Sequence, residues 1–347
     1  MNIPIENIYY LLCYAWDKLD EKERVNVSAK DYTQLVDLFA RILANGTKLL
    51  LKRGIDRSYV AVTEELSGIK GKLAISETLK RNILQKQRTI CSYDDFSPNI
   101  LVNQILVSTL SKLLFLKQLD KGIKDEIRSL MAMLPEIDVI PLSYSVFSHV
   151  RLNRNNRFYG LLLNVCEIIY QSTLPSEKAG EFTFMDFTRD ENKMNQLFEA
   201  FVRNFYRLEQ NKFTTVRRET IRWQFDDTSH RDNKYLPQMH TDITLENEQE
   251  KIIMDAKFYR QTMAVNFEKE RVHSGNLYQV FSYLLNQEDG SLKTQNASGI
   301  LLYPTIEKEY SVHYRYKEHN ISIETVNLNA DWKIIDRRLK EIVGFKP

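Results

Sequence analysis

Within the stretch TDITLENEQEKIIMDAKFYR, residues 241–260, two aspartates and a lysine interrupt segments otherwise patterned as buried strand. An ionised carboxylate is too costly to bury alone, so a fold that keeps Asp242, Asp255 and Lys257 there must pair, protonate or metallate them. The polar run ENEQE, residues 246–250, reads as a hairpin loop. A hairpin closing symmetrically about residues 248 and 249 sets Asp242 directly opposite Asp255, with side chains about 5 Å apart. Two carboxylates at that separation repel, and a divalent cation between them resolves the repulsion. Oxygen ligands of this kind suit Mg2+, with waters and a substrate phosphate completing the shell. The Ala256 carbonyl is a further candidate ligand. Residues two apart share a strand face, so Lys257 points the same way as Asp255, while Ile252, Met254, Ala256 and Phe258 make an apolar opposite face. Beside such an ion, Lys257 can either steady a pentavalent phosphate or help deprotonate a metal-bound water. Partial burial and the neighbouring cation are both expected to lower its pKa.

This order, Asp, twelve intervening residues, then Asp-x-Lys, is the pattern of the PD-(D/E)xK nuclease core. Asp242, Asp255 and Lys257 are therefore the candidate catalytic residues. Glu199, on a helix expected over 194–213, shares a stripe with Phe198, Val202 and Phe205 and is a candidate third metal ligand beside Asp242 and Asp255; a solvated helix carboxylate is the alternative. Gln279 and Tyr283 stand four apart on one face of a following helix. Such a Gln-x-x-x-Tyr pair packs over the active site in many nucleases of this core and touches DNA phosphate; boundary packing is the other reading. His240 is expected to face away from Asp242 as a partly exposed structural residue, and His273 to mark a helix start or meet phosphate. Arg217, Arg218, Arg222, Arg231 and Lys234 form a loose basic group, either a solvated face or a cradle for the DNA backbone.

The elements that must position these residues follow from periodicity. Apolar spacing predicts helices over 5–19, 33–53, 100–119, 122–134 and 158–171, with short strands and a turn over 57–95 around Gly68 and Gly71. TLPSEKAGEF, residues 173–182, is the best boundary, dividing a mixed α+β segment, 1–180, from an α/β segment, 181–347. In the latter, a helix over 194–213 is followed by strands at 214–225, 239–245 and 251–259. A helix over 268–286, strands at 298–303, 309–316 and 320–327, and a closing helix from 330 complete it. The expected fold is an α/β core with an antiparallel start. Across 347 residues, 48 basic and 46 acidic side chains leave a net charge of +2, so no basic tail drives nucleic-acid binding. Cys13, Cys91 and Cys166 are far apart and no CxxC occurs, which argues against structural zinc and for a reducing compartment. The N-terminal run is too short to span a bilayer and lacks a basic n-region, so a cytoplasmic protein with no membrane partner is expected.

Over most of its length the sequence resembles the McrC family, the nuclease subunit of McrBC-type modification-dependent restriction systems. The resemblance lies in NIYYLLCYAW (7–16), GIKGKL (68–73), SYDDF (92–96) with LVNQIL (101–106), LPQMHTDITL (236–245), IIMDAKFYR (252–260), HSGNLYQVFSYL (273–284) and GILLYP (299–304). Asp242, Asp255 and Lys257 match the family's nuclease triad; Phe258 stands where tyrosine is expected, and Thr241 replaces the proline of the broader motif. The resemblance implies an N-terminal domain, 1–180, docked on a McrB-like AAA+ GTPase oligomer, and a PD-(D/E)xK restriction-endonuclease-like domain, 181–347. It also implies that the chain stimulates that GTPase, that GTP binds the partner, and that Mg2+-dependent cleavage falls on double-stranded DNA with modified cytosine. The absence of a GxxxxGK[ST] phosphate loop agrees with this. Residues 57–95 are the expected ring contact. A free-standing repair or recombination nuclease, and a non-catalytic regulator of an AAA+ ring, are the alternatives.

Overall fold

The computed structural model describes residues 3–19, 34–175, 182–225, 233–259, 264–266, 269–271 and 273–344. The chain forms two compact units. Met1–Leu19 and Asp186–Pro347 fall in one, and Tyr32–Met185 in the other. Late in the chain the units divide between Met185 and Asp186, and helix α1 (Ile5–Ala15) belongs to the later unit rather than to its chain neighbours. The reason is packing that no local pattern reveals. The buried Asn7 amide donates to the Leu328 and Ala330 carbonyls at 2.7 and 2.9 Å, Tyr10 stacks on Trp332, and Tyr14 Oη donates to Glu209.

The unit spanning Tyr32–Met185 begins with α2 (Leu35–Arg53), whose Gly46 lets Leu162 approach so closely that a Cβ would lie 2.3 Å from it. Strand β1 (Ser58–Leu66), β2 (Lys72–Leu73) and β3 (Thr89–Ser97) make a three-stranded antiparallel sheet in the order β1-β3-β2. A helical turn, α3 (Ile75–Lys80), interrupts a region expected to be strand and turn only. Helices α4 (Leu101–Leu114), α5 (Lys121–Met133), α6 (Tyr144–Ser148) and α7 (Tyr159–Gln171) follow, then a short hairpin of β4 (Thr173–Pro175) with β5 (Phe182–Phe184). Helices α2, α4, α5 and α7 pack on one another.

The unit that carries the candidate residues opens with α8 (Glu191–Glu209). Asp190 caps it by accepting the Lys193 N–H, and Met194, Leu197, Phe198, Phe201, Val202 and Phe205 repeat at helical spacing to bury one face. A six-stranded mixed sheet stands beside it, built from β6 (Thr215–Arg217), β9 (Ile243–Glu246), β10 (Lys251–Ala256), β13 (Ser298–Thr305), β14 (Ser311–Tyr316) and β15 (His319–Asn327). A side ribbon of β7 (Thr220–Ile221) and β8 (Met239–His240) precedes β9, and a hairpin of β11 (Ala264–Asn266) and β12 (Lys269–Arg271) follows β10. The sheet order is β14-β15-β13-β10-β9-β6, antiparallel through β6, β9 and β10 and then parallel from β10 to β13 to β15. The antiparallel start expected from the sequence is present.

Helix α9 (Ser274–Asn286) starts later than the expected 268, because Lys269–Arg271 pairs as strand. Its Val280, Tyr283 and Leu284 share a core with Ile253, Leu301, Tyr303 and Ile323. Gly299 of β13 permits that approach, since a Cβ there would lie 2.5 Å from Val280 and 3.0 Å from Leu284. A short helix, α10 (Leu292–Gln295), leads into β13, and α11 (Trp332–Ile342) closes the unit. No described helix is long and apolar enough to cross a membrane. Cys13, Cys91 and Cys166 are buried, and none is joined in a disulfide.

Candidate active site

The register of β9 against β10 runs Glu246 to Lys251, Leu245 to Ile252, Thr244 to Ile253 and Ile243 to Met254. Extending it by one pair sets Asp242 against Asp255, as a turn centred on residues 248 and 249 requires. The loop is held by Asn247, whose side-chain oxygen accepts the Gln249 and Glu250 N–H groups. Both aspartates therefore reach the carboxyl end of β10, where it runs parallel to β13. In sheets with parallel strands, ligand sites collect at that end.

Asp242 and Asp255 are 5% and 0% exposed. The Ala256 N–H donates to Asp242 Oδ2 at 3.1 Å, fixing that carboxylate against the strand end. Lys257 Nζ donates to Asp242 Oδ2 at 3.1 Å and to Asp255 Oδ1 at 3.0 Å, bridging the pair. The other oxygen of Asp255, Oδ2, is buried without a hydrogen-bond partner. Burial pushes the Asp255 carboxyl up to about 7, and the Asp242 charge adds to this while Lys257 opposes it. Burial alone would lower the Lys257 pKa, but the Asp255 and Asp242 carboxylates outweigh it and hold the ammonium above its ordinary range. The lowering by burial is as expected, and the two carboxylates, which the expectation did not weigh, act in the opposite sense and prevail.

Glu199 lies close enough to feel Asp242 and Lys257. Burial raises its pKa first and the Asp242 charge next, against Lys257, the Asn195 hydrogen bond and Arg218. Its carboxylate accepts from Asn195 Nδ2 at 2.5 Å. Among the described residues, no three His, Cys, Asp or Glu side chains gather closely enough to hold a metal. Two carboxylates nevertheless suffice for Mg2+, which keeps several of its waters. The unpartnered Asp255 Oδ2, the facing Asp242 carboxylate and the all-oxygen donors fit that ion.

Gln279 and Tyr283 are joined: Gln279 Nε2 donates to Tyr283 Oη at 2.6 Å, and Tyr283 Oη donates to the His240 carbonyl at 2.6 Å. The pair thereby braces the backbone two residues before Asp242. Burial raises the Tyr283 pKa, the neighbouring Asp255 and Asp242 charges add to this, and the Gln279 bond opposes it. The His240 ring, half-buried, meets Thr220 and Gln238 rather than the site. His273 stands at the N-cap of α9 with its ring against Tyr259, 4.5 Å between centroids. Arg217 is engaged by Glu219 and Glu246, and Arg231 lies outside the described residues.

Two residues escaped the sequence reading. Asn195 accepts the Phe258 N–H at 2.8 Å, and Arg203 Nη1 donates to the Asp242 carbonyl at 3.4 Å. Their signal was a polar stripe at i, i+4 and i+8 on α8, Asn195–Glu199–Arg203, set between apolar Phe198 and Val202.

With this geometry in place, relatives give it a context. The family model described as McrBC 5-methylcytosine restriction system component matches residues 6–304. A curated Escherichia coli (strain K12) protein, the type IV methyl-directed restriction enzyme EcoKMcrBC, is 33% identical over 342 residues, covering 98% of this chain and 97% of the relative. A structure of the Thermococcus gammatolerans McrB AAA+ hexamers with bound McrC contains a chain that aligns with 98% of this one and 76% of its own length, at 17% identity and a TM-score of 0.58, a likeness of fold. The chain belongs to the family of McrBC 5-methylcytosine restriction system components.

Proposed function

We propose that this chain is the Mg2+-dependent endonuclease subunit of a modification-dependent restriction complex, with a PD-(D/E)xK centre in the unit that contains the mixed sheet. The observation that carries the reading is the apposition of Asp242 and Asp255 at the end of β10, bridged by Lys257 and leaving Asp255 Oδ2 unsatisfied. Asp242, Asp255 and the Ala256 carbonyl would hold the ion, which when bound lowers the pKa of a coordinated water and stabilises charge on the leaving oxygen. The strand end fixes both carboxylates before any ion arrives, so little ordering is left for the moment of binding. Lys257, whose ammonium reaches both carboxylates, would be placed to turn to the scissile phosphate and balance the charge developing on its non-bridging oxygens. Buried Tyr283 braces the approach to Asp242, and the half-buried Gln279 is the member of the pair placed to meet the DNA backbone. Glu199, held by Asn195, adds its charge beside Asp242 and Lys257.

The partner follows from the family. One structure of similar fold holds McrC bound to McrB AAA+ hexamers, and this chain is proposed to dock on such a GTP-hydrolysing ring and stimulate it. The unit comprising Tyr32–Met185 is the docking candidate. Its β1–β3 region exposes Tyr59, Ile69 and Phe96, at 72%, 72% and 53%.

The test is reconstitution with the partner on methylated and unmethylated DNA in Mg2+. Asp242→Ala, Asp255→Ala and Lys257→Ala are each expected to abolish cleavage while partner GTPase stimulation persists. Mg2+-dependent cutting retained in Asp255→Ala would overturn the catalytic assignment. Efficient cutting of unmodified DNA by the chain alone would point to a repair nuclease instead.

A further inference from the structure

Helix α8 meets the segment just past β10 through the Phe198 ring, set edge-on to Phe258, and through the Asn195 side chain. Asn195 lies on the first turns of α8 and touches two groups that belong to different elements: its Oδ1 accepts the Phe258 N–H at 2.8 Å, and its Nδ2 donates to Glu199 at 2.5 Å. The orientation of the amide is dictated by chemistry, since a backbone N–H can only donate and must face the oxygen. That leaves the NH2 group for the carboxylate. Neither Asp nor Ser can reproduce the pair of bonds, because Asp carries no donor when ionised and Ser is too short to bridge them. Phe258 is 3% exposed, and its N–H is the next one after that of Lys257, which donates to the Leu302 carbonyl at 3.0 Å. The backbone of Lys257 is thus clamped on one side by β13 and on the other by Asn195. Ladder pairing ends at Ala256, so beyond it these two bonds set where the lysine side chain starts.

We propose that Asn195 is a positioning residue of the nuclease centre, clamping the strand end that carries Asp255 and Lys257 and holding the Glu199 carboxylate beside Asp242 and Lys257. The proposal rests on the metal-site reading above. It assigns Asn195 no contact with substrate or ion. Loss of the clamp frees the segment 257–259 and loosens the ion's ligand set, which includes the Ala256 carbonyl two residues before Phe258.

The test uses the full-length chain, with Mn2+ as the probe. Mn2+ affinity is read by calorimetry, backbone hydrogen exchange by mass spectrometry over the peptide containing Phe258, and thermal unfolding in parallel. Asn195→Ala, and Asn195→Leu as a size-matched second variant, are expected to weaken Mn2+ binding about tenfold, the scale of one lost hydrogen bond to a charged group. Exchange around Phe258 should accelerate in step. Asn204→Ala is the control: it removes a comparable helix-to-backbone amide contact, to the Tyr14 and Ala15 carbonyls at 2.9 and 3.0 Å, away from the site. It should lower the melting temperature and leave Mn2+ affinity unchanged. If the Asn195 variants behave like Asn204→Ala, Asn195 is only structural and the proposal fails while the metal site stands. If Asp255→Asn also leaves Mn2+ affinity unchanged, the metal-site reading itself fails, and the proposal with it.

Discussion

Asp255→Asn should make the metal-free chain more stable at pH 8 while removing its ability to bind the ion. Asp255 is fully buried, one of its oxygens has no partner, and its carboxyl is pushed from 3.8 to about 7. The difference is about 3 pH units, and at about 1.4 kcal/mol each the ionised group costs the folded state about 4 kcal/mol at and above pH 7. The sign follows from proton binding. Between about pH 4 and 7 the folded chain holds a proton on Asp255 that the unfolded chain has released, so stability falls as pH rises through that window. Asparagine is neutral and nearly the same shape, and Lys257 keeps its bond to Asp242 at 3.1 Å. An imperfectly satisfied buried amide returns about 1–3 kcal/mol of the gain, leaving a net stabilisation of about 2 kcal/mol. Urea unfolding in EDTA at pH 8 and pH 5, wild type against Asp255→Asn, measures it. The gain should shrink markedly at pH 5, where wild-type Asp255 is mostly protonated. A variant less stable than wild type at pH 8, or a difference independent of pH, would refute the claim that this carboxylate is held ionised at a cost.

Other expectations follow from the same geometry. Lys257→Met keeps both carboxylates, so Mn2+ binding by calorimetry should persist while cleavage by the reconstituted complex falls at least about a hundredfold; loss of binding instead would make the lysine a folding residue. Tyr283→Phe deletes the hydroxyl between Gln279 and the His240 carbonyl and should cost about 1–2 kcal/mol in urea unfolding, and unchanged stability would show that the hydroxyl does not brace the approach to Asp242. Gly299→Ala places a methyl 2.5 Å from Val280 and should cost about 1–3 kcal/mol of stability, with metal affinity unchanged because the clash lies under α9.

What was legible in the sequence was what local patterns encode. ENEQE is short and polar enough to have one sensible centre, and that centre fixed the pairing of Asp242 with Asp255. The i, i+4 spacing of Gln279 and Tyr283 was equally readable, and the structure joins them by a hydrogen bond. Non-local contacts were not readable. Nothing in NIYYLLCYAW says that Asn7 will seek the carbonyls of Leu328 and Ala330, so α1 was grouped with its chain neighbours. Asn195 looked like one more polar residue on a helix, because its partner is a backbone N–H 63 residues away. The protonation preference of Lys257 depends on the same long-range placement: only once Asp242 and Asp255 are both beside it does the raising effect of the carboxylates outweigh burial.

The most direct test of the central claim is the anomalous-difference map of a crystal of the chain grown with Mn2+. The account predicts a single strong peak between the Asp242 and Asp255 carboxylates, within bonding distance of Asp255 Oδ2, with Lys257 Nζ swung out of its bridging position. A map with no peak there, and Lys257 still spanning the two aspartates at saturating Mn2+, would contradict it.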